Sequence, residues 1–158
     1  MSRVKTNAMR ILDSHNIEYN IITYDKRDGN IDGPSVARKI NRKPEEVFKT
    51  LVTKGSSGQL YVFIIPVNEE LDLKKAARAT EEKRIEMLAA KDITKYTGYV
   101  RGGCSPIGMK RHYPTFIHES VVYLNTLIVS GGKIGIQIEL KLKDLQLITG
   151  AKICKLIK

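Results

Sequence analysis

The stretch "EEVFKTLVT", Glu45 to Thr53, combines β-branched and aromatic residues with a lysine near its centre. Val47, Phe48 and the Leu-Val pair that follows favour a pleated, half-buried surface, so the stretch predicts a β-strand. Lys49 carries a strongly hydrated charge that is almost never fully buried without a partner. Its place in an apolar strand indicates either a lysine at the rim of a site or one whose head reaches solvent.

The sequence on the carboxyl side of this strand predicts an antiparallel hairpin. "KGSSGQ", residues 54–59, is rich in turn formers, and "LYVFIIP", residues 60–66, is apolar throughout. Asp72 can then cap a helix, and "AAKDITKYTG", residues 89–98, predicts another that ends at its glycine. "KRIEM", residues 83–87, fits either a helix or a strand.

On the amino side, Thr6 can cap a helix that ends near Asn16, and "IEYNIITY", residues 17–24, predicts a strand. A polar loop leads to a short helix that begins at Pro34 or Ser35 and runs to Ile40. A further helical turn is predicted to begin at the proline of "RKPEE".

The last third of the chain predicts a long shaped loop followed by strands. Residues 99–114 contain three glycines and two prolines, whereas "TFIHE", "TLIVS" and "IGIQIEL" are typical of strands. A short helix is predicted over 142–147, before a last apolar segment, "AKICKLI". Residues 1–158 therefore predict one domain of the α/β (α+β) class, a mixed sheet with helices packed around it.

Composition points to an anionic partner. The formal charge is +10, from 27 Lys and Arg against 17 Asp and Glu, which favours nucleic acid, although a solubilising basic surface is the alternative. Cys104 and Cys154 lie fifty residues apart and predict neither a disulfide framework nor a zinc site. With no apolar leader and no run long enough to span a membrane, we expect a cytoplasmic protein without membrane contact.

No catalytic motif that supplies its own nucleophile is visible. The sequence has no P-loop and no dinucleotide-binding fingerprint, and its three histidines form no triad or zinc-binding pattern. Glycine pairs in "RGGCSPIG" and "SGGKIG" can bring backbone N–H groups close to a ligand, but each can equally be a turn.

Four blocks together resemble the YbaK/EbsC family of free-standing aminoacyl-tRNA deacylases. They are "VFKTLV" (47–52), "LDLKKAA" (71–77), "GYVRGGCSPIGMKR" (98–111) and "IVSGGKIGIQIEL" (128–140), in the family's order and at family-like spacing. The resemblance spans about Lys5 to Ile153. It implies a compact domain with a curved mixed sheet and flanking helices, like the editing domain of prolyl-tRNA synthetases. It also implies hydrolysis of cysteine wrongly attached to proline tRNA, with Cys-tRNA(Cys) as a second substrate.

The resemblance also assigns residues. Lys49 matches the family's essential lysine, which holds the acceptor end of the tRNA, and Gly102 belongs with Gly103 to a pair whose backbone approaches the aminoacyl ester. The other matching positions wall the pocket or lie beside it: Tyr24, Asn30, Ile31, Thr50, Ser130, Gly131 and Gly132. Two positions depart from the family pattern. Gln137 replaces the usual aspartate of the substrate pocket, and Cys104 replaces an aliphatic residue.

The mechanism implied by the resemblance is substrate-assisted: the thiol of the attached cysteine attacks its own ester. It requires no metal and no organic cofactor. The expected partners are mischarged proline tRNA and prolyl-tRNA synthetase. Deacylation of Ala-tRNA(Pro) or of another small residue is an alternative within the same class, because a small pocket separates near-isosteres only modestly. A non-catalytic tRNA-binding module is the alternative outside it.

Overall fold

A computed structural model describes residues 5–158. The helices are α1 (Asn7–Ser14), α2 (Gly33–Lys39), α3 (Leu73–Thr80), α4 (Ile93–Thr97) and α5 (Leu142–Thr149), with single 3-10 turns at Pro44–Glu46, Ala90–Asp92 and Glu119–Tyr123. The strands are β1 (Asn20–Thr23), β2 (Phe48–Gly55), β3 (Leu60–Pro66), β4 (Ile85–Met87), β5 (Thr115–His118), β6 (Leu127–Lys133), β7 (Ile136–Leu140) and β8 (Lys152–Cys154). None of the helices in this range is long and apolar enough to cross a membrane.

The strands form two sheets that meet at one point. The larger sheet has the order β4-β2-β3-β5-β8, antiparallel at β4, β2 and β3 and parallel from β3 to β8. The smaller sheet is antiparallel, with the order β1-β7-β6. A parallel bridge between Val47 and Ile128 joins them. The predicted α/β class is confirmed, with the mixed sheet divided in two.

The strand β3 lies at the centre of the core. All seven of its residues are buried, so both of its faces pack against apolar layers, as its unbroken apolar sequence requires. Val62 and Ile64 belong to a cluster that includes the buried side of α1 and the strands β6 and β7. Phe63 and Ile65 pack on the other side, where the rings of Phe63 and Phe116 stack at 5.5 Å between centroids.

Most predicted element ends are confirmed. Thr6 Oγ1 accepts a hydrogen bond from Met9 N at the start of α1, and Asp72 caps α3 through the backbone amides of its first turn. Gly98 ends α4 in the left-handed conformation, with φ at 83°. The predicted hairpin joins β2 to β3 in continuous antiparallel register.

Other boundaries differ from the prediction. The strand predicted at 17–24 covers only Asn20–Thr23, which is the part that pairs with β7. The helix α2 begins at Gly33 because Asp32, one residue earlier than expected, accepts from Ser35 N. "KRIEM" contributes β4, an edge strand that pairs with the end of β2. The last apolar segment adds β8 to the sheet.

Candidate active site

A cleft opens where β2 and β6 separate from each other after their single bridge at Val47 and Ile128. Its volume is about 590 Å³, in the range of small-molecule sites. It is bounded by the segment from Tyr24 to Val36, the start of β2, the loop after α4, and the strands β6 and β7. The lining residues are Tyr24, Gly29, Ile31, Asp32, Gly33, Val36, Val47, Phe48, Lys49, Thr50, Leu51, Val67, Arg101, Gly102, Cys104, Ser130 and Gln137.

The cleft meets β2 along the edge of the strand. Four consecutive residues, Phe48 to Leu51, line it, although successive side chains of a strand point to opposite faces. Such a run can line one cavity only if the cavity reaches the strand from the side. Backbone groups are therefore part of the cleft surface.

Lys49 is partly buried in the wall of the cleft. Its Cα partner on β3 is Ile65, and no described carboxylate lies within salt-bridge distance of its ammonium. Burial lowers the pKa of Lys49, and the negative charges of Glu70 and Glu69 act against that shift. The ammonium thus has no partner among residues 5–158, which leaves its charge available to a ligand.

One wall of the cleft is held by a single lysine. Lys39 Nζ donates to Asp25 O at 2.7 Å, to Asp28 Oδ1 at 2.6 Å and to Asn30 O at 2.9 Å. These three contacts satisfy the ammonium and fix the loop that presents Ile31 to the cleft.

A second tie connects the segment that follows α2 to β7. Arg42 makes a bidentate contact with Glu139, at 3.2 and 2.7 Å, and its Nε donates to Glu46 at 3.1 Å. These bonds lower the pKa of Glu139 to about 2. Gln137 lies two residues before Glu139, and so on the same face of β7, where it lines the cleft.

The opposite wall is the loop from Tyr99 to Pro114, and glycines allow it to approach. Gly102 has φ at +87°, and a Cβ there would lie 2.9 Å from Ile31 Cδ1. A Cβ at Gly103 would lie 2.8 Å from the backbone nitrogen of Ile134. Gly102 therefore requires glycine for its backbone conformation, and Gly103 requires it for space. Tyr99 Oη donates to Ile107 O at 2.6 Å and braces the loop.

Several polar side chains that line the cleft have no hydrogen-bond partner among the described residues. The hydroxyl oxygens of Tyr24 and Thr50 are buried without a hydrogen-bond partner among residues 5–158. Gln137 is buried, and no described residue bonds its side-chain amide. Since a buried polar group without a partner costs free energy, such groups are expected to bind a ligand or ordered water.

Two described side chains that line the cleft, Cys104 and Asp32, are poorly suited to act as a nucleophile or a general base. Burial raises the pKa of the Cys104 thiol to about 11, which leaves the thiol protonated at neutral pH. Asp32 is the one carboxylate among the described lining residues, and its two oxygens accept from Ser35 N and Ser35 Oγ at 3.1 and 2.6 Å. Among residues 5–158, no group of three or more side chains could hold a metal ion.

The protein-family model described as "Aminoacyl-tRNA editing domain" matches residues 34–148 of the sequence. The chain belongs to this family. Its match contains β2, the loop of Gly102 and β7, and so most of the cleft wall.

Three known proteins resemble the chain over most of its length. A protein of Enterococcus faecalis named "Putative Cys-tRNA(Pro)/Cys-tRNA(Cys) deacylase EbsC" is 46% identical over 136 residues, which cover 86% of this chain and 83% of that protein. A solved structure described as "a putative trans-editing enzyme for prolyl tRNA synthetase" superposes with a TM-score of 0.82 and 21% identity, covering 99% of both chains. The structure of hypothetical protein APE2540 gives a TM-score of 0.87 at 16% identity, covering 96% of this chain and 99% of that one. The fold is therefore the editing-domain fold.

The structure brings together most of the residues that the sequence assigned to the editing site. Those that line the cleft are Tyr24, Ile31, Lys49, Thr50, Gly102, Ser130 and Gln137. Gly103 lies directly behind the lining, against Lys133 and Ile134.

Three assigned positions face elsewhere. Asn30 is exposed, and its backbone amide bonds the Asp28 carboxylate. A Cβ on Gly131 would meet Ile136 and Ile138 at 2.8 and 3.2 Å, inside the small sheet. Gly132 faces Tyr99 and Thr6, and its N–H donates to Ser130 Oγ at 3.2 Å. These residues shape the segments that carry Ile31 and Ser130.

Sequence reasoning missed several residues that line the cleft. Arg101 brings a second cation, and its position directly before the Gly102-Gly103 pair was a usable signal. Asp32 was recognisable as a helix cap from its place before Gly33. Apolar lining residues such as Val67 carry no such signal, because they look like any core residue.

Proposed function

We propose that the protein is a trans-editing deacylase that hydrolyses Cys-tRNA(Pro), with Cys-tRNA(Cys) as a second substrate. The observation that carries the proposal is the cleft itself. It is lined by the partly buried ammonium of Lys49 and by the hydroxyls of Tyr24 and Thr50, which have no partner among residues 5–158, and the family motifs lie on its walls. The 46% identical Enterococcus faecalis protein carries a name for the same activity.

The mechanism that fits this cleft is substrate-assisted. The thiol of the attached cysteine loses its proton, and its sulfur bonds to the ester carbonyl carbon. The bond from that carbon to the ribose oxygen breaks, and the oxygen takes a proton, which releases the tRNA. The cyclic thioester that remains is opened by water to give free cysteine. The high pKa of Cys104 and the occupied oxygens of Asp32 support this route over a protein nucleophile or base.

In this proposal the protein binds and orients the aminoacyl end of the tRNA. Lys49 contacts a phosphate or hydroxyl of the terminal nucleotide, with its apolar stem in the strand. The backbone at Gly102 approaches the ester carbonyl, because no side chain stands between them. The net charge of +10 attracts the tRNA, and prolyl-tRNA synthetase is the proposed partner that supplies tRNA selectivity.

A second candidate substrate is Ala-tRNA(Pro). The observation that favours it is Gln137, a buried neutral amide at the position where the related Cys-tRNA deacylases tend to have a carboxylate. Without a carboxylate at this position, the pocket has one group fewer that could favour an ionisable side chain such as the cysteine thiol.

The test is a deacylation assay on purified Cys-tRNA(Pro), Ala-tRNA(Pro), Ser-tRNA(Pro) and Pro-tRNA(Pro). Substrate assistance requires the cysteine ester to be cleaved far faster than the serine or alanine ester, because only a thiol supplies a strong nucleophile near neutral pH. Equal or faster turnover of Ala-tRNA(Pro) would assign the protein to alanine editing. Retardation of tRNA in a gel without any shortening of ester lifetime would identify a non-catalytic binding module.

A further inference from the structure

The peptide groups of β2 alternate in direction, which fixes what each residue offers to the cleft. In an antiparallel ladder, every second residue exchanges both of its hydrogen bonds with the same neighbouring strand. Val47 O accepts from Val67 N at 2.9 Å, on the side of β3, whereas Val52 O accepts from Leu88 N at 3.0 Å, on the opposite side. The register is continuous from Phe48 to Lys54. The backbone N–H and C=O groups of the even-numbered residues of β2 therefore point away from β3.

Thr50 is the even-numbered position left without a neighbouring strand. The strand β4 pairs with β2 only from Thr53 to Gly55, and the bridge to β6 lies at Val47. The N–H and the C=O of Thr50 therefore point away from β3 at a place where no described strand pairs with them. This place is the cleft, which Thr50 lines.

A second observation at the same residue indicates a polar ligand. The Oγ1 atom of Thr50 is buried and has no hydrogen-bond partner among residues 5–158, and the same is true of the hydroxyl of Tyr24, which lines the same cleft. Buried hydroxyls in proteins are nearly always bonded, so polar ligand groups are expected to contact them.

We propose that Thr50 binds the aminoacyl group of the substrate as a one-residue β-bridge. A residue on a strand edge offers one donor and one acceptor on the same side. Its natural complement is the N–Cα–C=O unit of another amino acid, with the Cα atoms about 5.5 Å apart. In an aminoacyl ester, the α-amino group donates to Thr50 O and the ester carbonyl oxygen accepts from Thr50 N–H. This inference rests on the proposed function, since it supposes that an aminoacyl ester enters the cleft.

The bridge would give the site a general preference for α-aminoacyl groups. It binds the backbone atoms that all amino acids share. Selectivity for the side chain then depends on the parts of the cleft that Ile31 and Gln137 line. It also positions the ester carbonyl before any chemical step. An acyl group without an α-amino group forms only half of the bridge.

The first experiment compares two variants of one position. Thr50→Pro removes the N–H and the hydroxyl, whereas Thr50→Val removes only the hydroxyl. Because the Thr50 N–H makes no bond to β3, a proline is tolerated there as on other edge strands. We expect kcat/KM of Thr50→Pro to fall about 10- to 100-fold below that of Thr50→Val, for the loss of one hydrogen bond to the reacting group. Equal kcat/KM values for two folded variants would overturn the proposal.

The second experiment needs no variant. The wild-type protein, labelled with 15N, is titrated with the stable amide analogue 3′-deoxy-3′-(L-cysteinylamino)adenosine and with the matched 3-mercaptopropionyl analogue, which lacks the α-amino group. We expect the cysteinyl analogue to shift the amide signal of Thr50 and slow its hydrogen exchange, and the deaminated analogue to bind at least about tenfold more weakly.

The results distinguish failure of the β-bridge at Thr50 from failure of the proposed deacylase function. If other cleft signals shift while the Thr50 amide exchanges as before, the bridge is wrong and the proposed function stands. If neither analogue shifts any cleft signal, and no aminoacyl-tRNA is cleaved, the proposed function falls and the bridge falls with it.

Discussion

Gly102 and Ile31 lie on opposite walls of the cleft and approach each other closely. A Cβ on Gly102 would lie only 2.9 Å from Ile31 Cδ1. The loop after α4 and the loop before α2 thus approach as closely as a glycine permits. The terminal methyl group of Ile31 is the nearest atom that a methyl group on Gly102 would meet. A small change at either residue should therefore change the cleft before it changes the fold.

Substitution Gly102→Ala should reduce deacylation more than stability. The positive φ and the contact with Ile31 together cost about 1–2 kcal/mol, or a few degrees in Tm for a domain of this size. Gly58→Ala is the matched control, since Gly58 also has a positive φ, at +94°, but no atom lies within 4 Å of its added Cβ. Thermal unfolding and kcat/KM are measured for both.

A double mutant distinguishes steric closure from backbone strain at Gly102. Ile31→Val removes the Cδ1 atom that the new methyl group would meet. Restored activity in Gly102→Ala/Ile31→Val is the expected result. An inactive double mutant would mean that the conformation of Gly102, and not the space beside it, controls the site.

Substitution Lys49→Met should abolish most activity while leaving stability unchanged or higher. Burial lowers the pKa of Lys49, so the folded state disfavours the charged form of this side chain. The resulting loss of stability is present at neutral pH. It is relieved only as the pH rises through the lowered pKa toward 10.5, the ordinary value. Methionine keeps the apolar stem and removes the penalty. Lys54→Met, at an exposed position of the same strand, is the control. A fully active Lys49→Met variant would remove this residue from the site.

Cys104 should be dispensable for the reaction. Its thiol has a pKa raised to about 11 by burial and packs against Val52 and Tyr99. Cys104→Ala should retain activity within about threefold and lose about 1 kcal/mol of stability, since it deletes a small buried group. Single-turnover rates on Cys-tRNA(Pro) at several pH values decide the point. Loss of the reaction in a folded variant would contradict substrate assistance.

The pair of Arg42 and Glu139 should make stability depend on pH in the acid range. The pKa of Glu139 is lowered from 4.5 to about 2, mainly by its hydrogen bonds from Arg42. The stabilisation is thus complete above about pH 4.5 and is lost as pH falls toward 2. Glu139→Gln should cost about 1–3 kcal/mol at neutral pH and flatten the fall in Tm below pH 5. A variant whose Tm follows the wild-type curve would show that the pair contributes nothing.

Local chemistry accounts for the parts of the fold that the sequence predicted well. The cap at Thr6, the stop at Gly98 and the hairpin between β2 and β3 depend on neighbouring residues, which a linear pattern contains. The separation of β2 from β6 could not be predicted in this way. It depends on Val47 and Ile128, which lie far apart in sequence and meet at one bridge.

The candidate site shows the same limit. Lys49 and Gly102 were assigned from motifs and do line the cleft. Gly131 and Gly132 belong to an equally clear motif, yet they face Ile138 and Tyr99. A glycine in a motif indicates that something comes close to the backbone, but whether that neighbour is a ligand or the protein's own core depends on packing between distant segments.

The recessed edge at Thr50 has a consequence for behaviour in concentrated solution. An unpaired strand edge is normally a template for aggregation, because the edge of another chain can add to it. Here Ile31 and Gly102 contact each other across the opening, and β4 and β6 cover the two ends of the edge, so a whole strand cannot reach it. The unpaired N–H and C=O of Thr50 are therefore accessible to small groups that enter the cleft, while the strand of another chain is kept away from them.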